Sequence, residues 1–188
     1  MRTISSVALP LAAAILGACS SGSSGRLGRL YANLRTDAAQ RPASALPDPA
    51  LEARQDKRAA EVREMVGRGE VKSSTDHLQA AVILVETEDA TNLALAEKLA
   101  MRAAEMGESR GRRVAAEAVD KQLVNRHMPQ RYGTQYEWVP VLHAWRLYPI
   151  DPKTTDADRR AMGVPPLTAL YADEDRLNTQ LTSAQKRP

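Results

Sequence analysis

The side chains able to do chemistry gather in one stretch of this sequence. Gln130-Arg131-Tyr132-Gly133-Thr134-Gln135 is its densest polar cluster, with Asp120 and His127 just before it and His143 just after. Asp120, His127 and Tyr132 bring a carboxylate, an imidazole and a phenol, a candidate catalytic general acid/base set wherever a fold makes them converge. Gln130, Tyr132, Thr134 and Gln135 bring amides and hydroxyls of the kind that hold a small polar ligand such as a sugar or a peptide. Arg160, beside Arg159, suits a carboxylate or phosphate. Each group also has a plain structural reading. Gly133 permits a positive φ. The glutamines satisfy buried backbone where a helix gives way to a hairpin, and Tyr132 packs. His127 ends a helix, Asp120 is solvated, and the arginine pair faces Asp156 or Asp158. A glutamine cannot shuttle protons, so the motif by itself supplies no catalysis.

Other chemistries are excluded by what the sequence lacks. His77, His127 and His143 have no H-E-x-x-H or comparable spacing, so neither a metal nor a cofactor is expected. No serine sits in a nucleophile elbow and no glycine-rich phosphate loop occurs. Across 188 residues, 26 Lys+Arg face 23 Asp+Glu with no long charge block, so no nucleic-acid partner is expected. One cysteine rules out a disulfide framework.

That cysteine carries the clearest signal. Arg2 supplies a positive charge, an apolar and small-residue stretch follows over 7–18, and Leu16-Gly17-Ala18-Cys19 leads into a Ser/Gly run. The stretch is too short to span a bilayer and reads as a secretory leader. Leu16-Gly17-Ala18-Cys19 resembles the bacterial lipobox. That resemblance implies diacylglycerol on the Cys19 thiol, cleavage before Cys19, acylation of the new amine with a fatty acid such as palmitate, and attachment to the membrane through these chains. Several acyl chains make such an anchor effectively permanent. Serine after the cysteine resembles the pattern sent to the periplasmic face of the outer membrane. Removal of the leader takes Arg2 with it and lowers the net charge of +3 by one.

The elements that must position the motif are mostly helical. The expected organisation is a leader over 1–18, a lipidated cysteine and tether over 19–47, one helical domain over 48–183 and a tail over 184–188. Within 26–47, Leu27, Leu30, Tyr31 and Leu34 share one helical stripe flanked by arginines. It reads either as a basic amphipathic segment on the membrane or as a linker with some helix. Asp48-Pro49 is a cap followed by proline at the first helical position. Leu51, Ala59, Val62 and Met65 then give a weak apolar face that ends at Gly67-Arg68-Gly69. A cap cluster at 73–76 starts a second helix with Leu78, Ala81, Val82 and Val85. A third carries Leu95, Ala96, Leu99, Ala103 and Met106, with Gly107 at its C-terminus. A fourth, after Ser109, carries Ala115, Ala118, Val119 and Val124, with Glu117 and Lys121 as an i,i+4 pair on its outer side. Alanine-rich helices with short connections predict close antiparallel packing. The stretch 129–149 holds five of the seven aromatics and predicts a small hairpin from 134–139 and 143–148, with Pro140 at the turn. Asp156 caps a short helix ending at Met162-Gly163, and Leu167, Leu170, Tyr171 and Leu177 mark a last one. The fold class is therefore mainly α: four to six helices in an antiparallel helical domain, with a small β-hairpin in the C-terminal third.

Gln130-Arg131-Tyr132-Gly133-Thr134-Gln135 resembles the Gln-x-Tyr-Gly-Thr-Gln hallmark of the bacterial domain-of-unknown-function family with serial 6624. The similarity continues through Pro149-Ile150-Asp151-Pro152, Asp156, Arg159-Arg160, Met162-Gly163 and Pro166-Leu167. It is strong over about 120–171 and weaker back to about Thr75. Where relatives carry a Gln-His pair, this chain has Glu86-Thr87, so a histidine-based site of theirs does not transfer. The family brings no established activity. The expected function is a lipid-anchored cell-envelope protein with a non-catalytic binding or structural role. Two alternatives stand beside it: an envelope hydrolase of cell-wall or sugar material using Asp120, His127, Tyr132 and Gln135, and a protein-protein interaction module using the aromatic hairpin over 132–148.

Overall fold

In the computed structural model, residues 6–8, 25–40 and 48–185 are described. The chain is mainly helical, with a small antiparallel hairpin in its C-terminal part. Seven α-helices occur among the described residues: α1 (Gly25–Gln40), α2 (Pro49–Gly67), α3 (Ser74–Val85), α4 (Ala90–Glu105), α5 (Arg110–Val124), α6 (Asp156–Ala161) and α7 (Leu167–Gln185). The seventh beyond the expected range is α1, formed by the stretch in which a linker was one reading. Its apolar stripe is spent inside the protein. Leu27 and Leu34 join the main core with Val62, Met65, Leu78, Ile83, Leu93 and Leu99. Arg26 reaches Glu61 at 2.9 Å and Arg58 pairs with Asp37, tying α1 to α2. The leader apart from Ser6–Ala8, the lipobox Leu16-Gly17-Ala18-Cys19, the Ser/Gly run, Pro42, Pro47 and the last three residues lie outside the described residues.

Local sequence explains where the helices begin and end. Asp48 accepts a hydrogen bond from the Ala50 amide, with Pro49 at the first helical position. Ser73 and Asp76 form a reciprocal capping box on α3. The cap of α6 is Thr155, in a second capping box with Asp158, and not Asp156. Asp156 instead accepts from the Leu167 amide at 2.9 Å, joining α6 to the start of α7.

Helices α3, α4 and α5 pack in succession to form the centre. Small buried residues set their spacing: Ala80 and Ala81 on α3, Ala96, Ala100 and Ala103 on α4, and Ala115 and Ala118 on α5. Gly111 marks the closest approach. A Cβ there would lie 2.3 Å from the Ala100 carbonyl oxygen and 2.8 Å from the Ala104 amide nitrogen, so only glycine fits.

The sheet has the order β1-β2-β3, all antiparallel, from β1 (Ser6–Ala8), β2 (Gln135–Val139) and β3 (Ala144–Leu147). A 3-10 turn, Pro140–Leu142, joins β2 to β3. Ala116, Tyr132, Val164 and Leu170 make a second, small core, and Trp145, Tyr136 and Leu177 make a third where the hairpin meets α7. Trp145 is fully buried and packs edge-on against the half-buried Trp138, with ring centroids 5.7 Å apart.

Candidate functional site

The motif forms a corner between α5 and the hairpin, and Asp120 is its keystone. Its Oδ1 accepts hydrogen bonds from the backbone amides of Arg131 (2.7 Å) and Tyr132 (2.9 Å). Its Oδ2 accepts from the amides of Gly133 and Thr134 (both 3.0 Å) and from the Thr134 hydroxyl (2.8 Å). Four successive amides thus converge on one fully buried carboxylate. They can do so because Gly133 takes φ +95°, where an added Cβ would sit 2.5 Å from Leu170 Cδ1. Burial pushes the Asp120 carboxyl up, while these hydrogen bonds pull it down. The geometry decides for the ionised form: the carboxylate is surrounded by donors, and a proton on either oxygen would displace one of them. Asp120 is therefore a charged staple whose lone pairs are all engaged.

The other motif residues are equally engaged. The Gln130 side chain replaces a rung at the base of the hairpin. Its Nε2 donates to the carbonyls of Gln135 (2.9 Å) and Tyr148 (2.8 Å), and its Oε1 accepts from the Gln135 amide (2.8 Å). The Gln130 backbone pairs with Pro149 and Asp151, forming a parallel bridge to Ile150. Gln135 Nε2 donates to the Thr134 hydroxyl at 2.9 Å. Arg159 is buried and donates to the Tyr132 carbonyl (3.2 Å), the Thr154 carbonyl (3.2 Å) and Asp156 (3.0 Å). Sequence reasoning read this arginine as one of a pair facing Asp156 or Asp158. Its neighbour Arg160, the ligand candidate, is exposed.

The candidate acid/base set does not meet side chain to side chain. Asp120 touches the Tyr132 amide and not its hydroxyl. His127 is exposed just past the end of α5, in the left-handed conformation with φ 58°. It closes that helix in a Schellman motif: its own amide donates to Val124 and the Met128 amide to Leu123. Gly69, Gly107 and Gly163 end α2, α4 and α6 with the same bond pattern, so His127 fills a slot that glycine fills elsewhere. His143, at φ 46°, ends the 3-10 turn and lies edge-on to Trp138. Among the described residues no three His, Cys, Asp or Glu side chains are grouped to hold a metal ion.

A depression of about 500 Å³ opens on the outer side of the corner. Val119, Leu123, Met128, Arg131, Lys153 and Asp158 are among the residues lining it. Of the motif, only Arg131 reaches it, with its guanidinium 5.2 Å over the Tyr132 ring. Glu117 and Lys121, expected on the outer side of α5, are both buried. Glu117 bonds Arg113 at 3.1 Å, and burial raises its carboxyl against that pull. Lys121 donates to the Val85 carbonyl at 3.0 Å and pairs with Glu88 at 3.2 Å, closing the C-terminus of α3 with a cation.

Sequence reasoning missed Glu174 and Asn178, four residues apart on α7. Asn178 accepts from the Trp145 amide (2.8 Å) and donates to the Trp145 carbonyl (3.0 Å). Glu174 accepts from the Leu147 amide (2.6 Å) and from Arg146 (2.7 Å). Their i,i+4 spacing on a polar helix face was the only signal, and it did not say that strand amides were the target.

What the fold and site define is a helical domain with a docked hairpin and a self-satisfied polar corner. Among known proteins, no family model, no curated protein and no solved structure matches the chain.

Proposed function

We propose that the chain is a bacterial lipoprotein of the cell envelope, anchored through acyl chains on Cys19 and facing the periplasm from the outer membrane. Its helical domain belongs with the family of unknown function with serial 6624 and serves a non-catalytic binding or structural role. The observation that carries the non-catalytic half is the Asp120 staple. The buried Asp120 carboxylate beside the motif gives its hydrogen-bonding capacity to four backbone amides and the Thr134 hydroxyl, so it is not free to act as a general base for Tyr132. The hydrolase alternative draws no support from this arrangement. The anchoring half is supported by the lipobox. No described helix is long and apolar enough to cross a membrane. The test is metabolic labelling with a palmitate analogue followed by fractionation. Wild type should carry label and sediment with membranes, and Cys19→Ser should lose both. An unlabelled wild type, or a variant that stays membrane-bound, would sink the anchor.

A second reading, an interaction module, is favoured by the tip of the hairpin. Val141 is 86% exposed and Leu142 54%, next to the half-buried Trp138, an apolar end that the fold itself leaves uncovered.

A further inference from the structure

The two edges of the sheet are closed in different ways. In β3, Trp145 and Leu147 turn their amides outward, and α7 satisfies both with Asn178 and Glu174. That edge is sealed by side chains built into the domain. At the other edge, Gln135 directs its carbonyl to Tyr148 and so faces β3, which leaves the main-chain groups of Tyr136 and Trp138 pointing outward. There the covering element is β1, beside α5, in the register Ser6 to Glu137, Val7 to Tyr136 and Ala8 to Gln135. Ser6–Ala8 lies within the leader that lipoprotein processing removes. A mature chain would keep the sealed edge and lose the cover of the other.

We propose that the outer edge of β2 in the mature protein is a docking groove for an extended, uncharged polypeptide segment, taken up as an antiparallel strand where Ser6–Ala8 lies in the precursor. This rests on the leader being cleaved as described above. The occupant's chemistry follows from the strand that fits there: Ser, Val and Ala, small or β-branched, held by main-chain hydrogen bonds with modest demands on sequence. An unpaired strand edge is itself a template for such pairing.

The register makes the proposal testable with the chain's own peptide, Ile4-Ser5-Ser6-Val7-Ala8-Leu9, carrying a fluorophore at its N-terminus. It is titrated into the leaderless 19–188 chain bearing Cys19→Ser and into the full-length chain. The leaderless protein should bind, and the full-length chain, with the edge covered, at least tenfold more weakly. N-methylation at Val7 removes the amide opposite Tyr136 and should weaken binding tenfold or more. N-methylation at Ala8, opposite Gln135, blocks an amide that points away from β2 and should change it less than twofold. No binding to the leaderless chain, equal binding to both chains, or equal loss from the two methylations overturns the groove. So does a leaderless chain that circular dichroism shows to be unfolded, because β1 would then be an integral strand. The intact mass of protein taken from membranes reads the cleavage separately. A retained Met1 defeats the lipoprotein reading, while the titration on the leaderless chain still reports on the edge alone.

Discussion

A buried carboxylate that gathers four consecutive amides and a hydroxyl is worth more to this fold than any single apolar contact around it. Asp120→Asn would turn an amide donor toward those donors and should cost about 3 kcal/mol in urea denaturation. Tyr132→Phe removes a hydroxyl that makes no hydrogen bond among the described residues. It should stay within about 0.5 kcal/mol of wild type in the same assay. A Tyr132→Phe loss as large as that of Asp120→Asn would contradict this account of the corner. His127 occupies a left-handed slot at a cost that glycine avoids, partly offset by glycine's freedom in the unfolded chain. His127→Gly should therefore raise stability by about 0.5 kcal/mol, seen as a higher Tm. Much of the corner was legible in the sequence. Gly133 announced its positive φ, and Gln130 announced a side chain for stray backbone groups. Asp120 was misread as solvated because its partners are main-chain amides, which leave no mark on residue type.

At the scale of elements, helix and hairpin positions followed from periodicity and caps, and Asp48-Pro49, Ser73 and Gly107 did what their types predict. Two elements show the limits of local reading. The stripe Leu27, Leu30, Tyr31 and Leu34 suits a membrane surface or a protein core equally well, and only the packing of α1 on α2 and α3 decides between them. Likewise Glu117 and Lys121 have the spacing of a solvated pair, yet α5 turns them inward, onto Arg113 and the end of α3. The seal between α7 and β3 is open to direct test. Asn178→Ala strands the Trp145 amide and carbonyl and should lower stability by about 1–3 kcal/mol, measured from the urea midpoint.

For the molecule as a whole, the small core around Tyr136 sets an alkaline limit. Its hydroxyl donates to the Leu170 carbonyl at 3.0 Å, and burial, with Glu174 adding, pushes its pKa up to about 12. The unfolded phenol titrates near 10, so between these values the unfolded chain loses the proton first. Stability from this group is complete below pH 10 and declines as pH rises to 12, by about 2–3 kcal/mol. Urea midpoints taken from pH 9 to pH 12 should show that fall in wild type and a flatter profile in Tyr136→Phe.

The Asp120 staple also bears on the order of folding. It closes loops of only 11 to 14 residues, whereas the seal of α7 on β3 spans 27 to 33. Short closures have the smaller entropic barrier, so the turn from α5 into the hairpin can organise before α7 returns across the sheet. In a chevron plot Asp120→Asn should act mainly on the refolding limb and Asn178→Ala mainly on the unfolding limb. A chain emerging from its N-terminus could then shape its corner first and finish only when its last helix arrives.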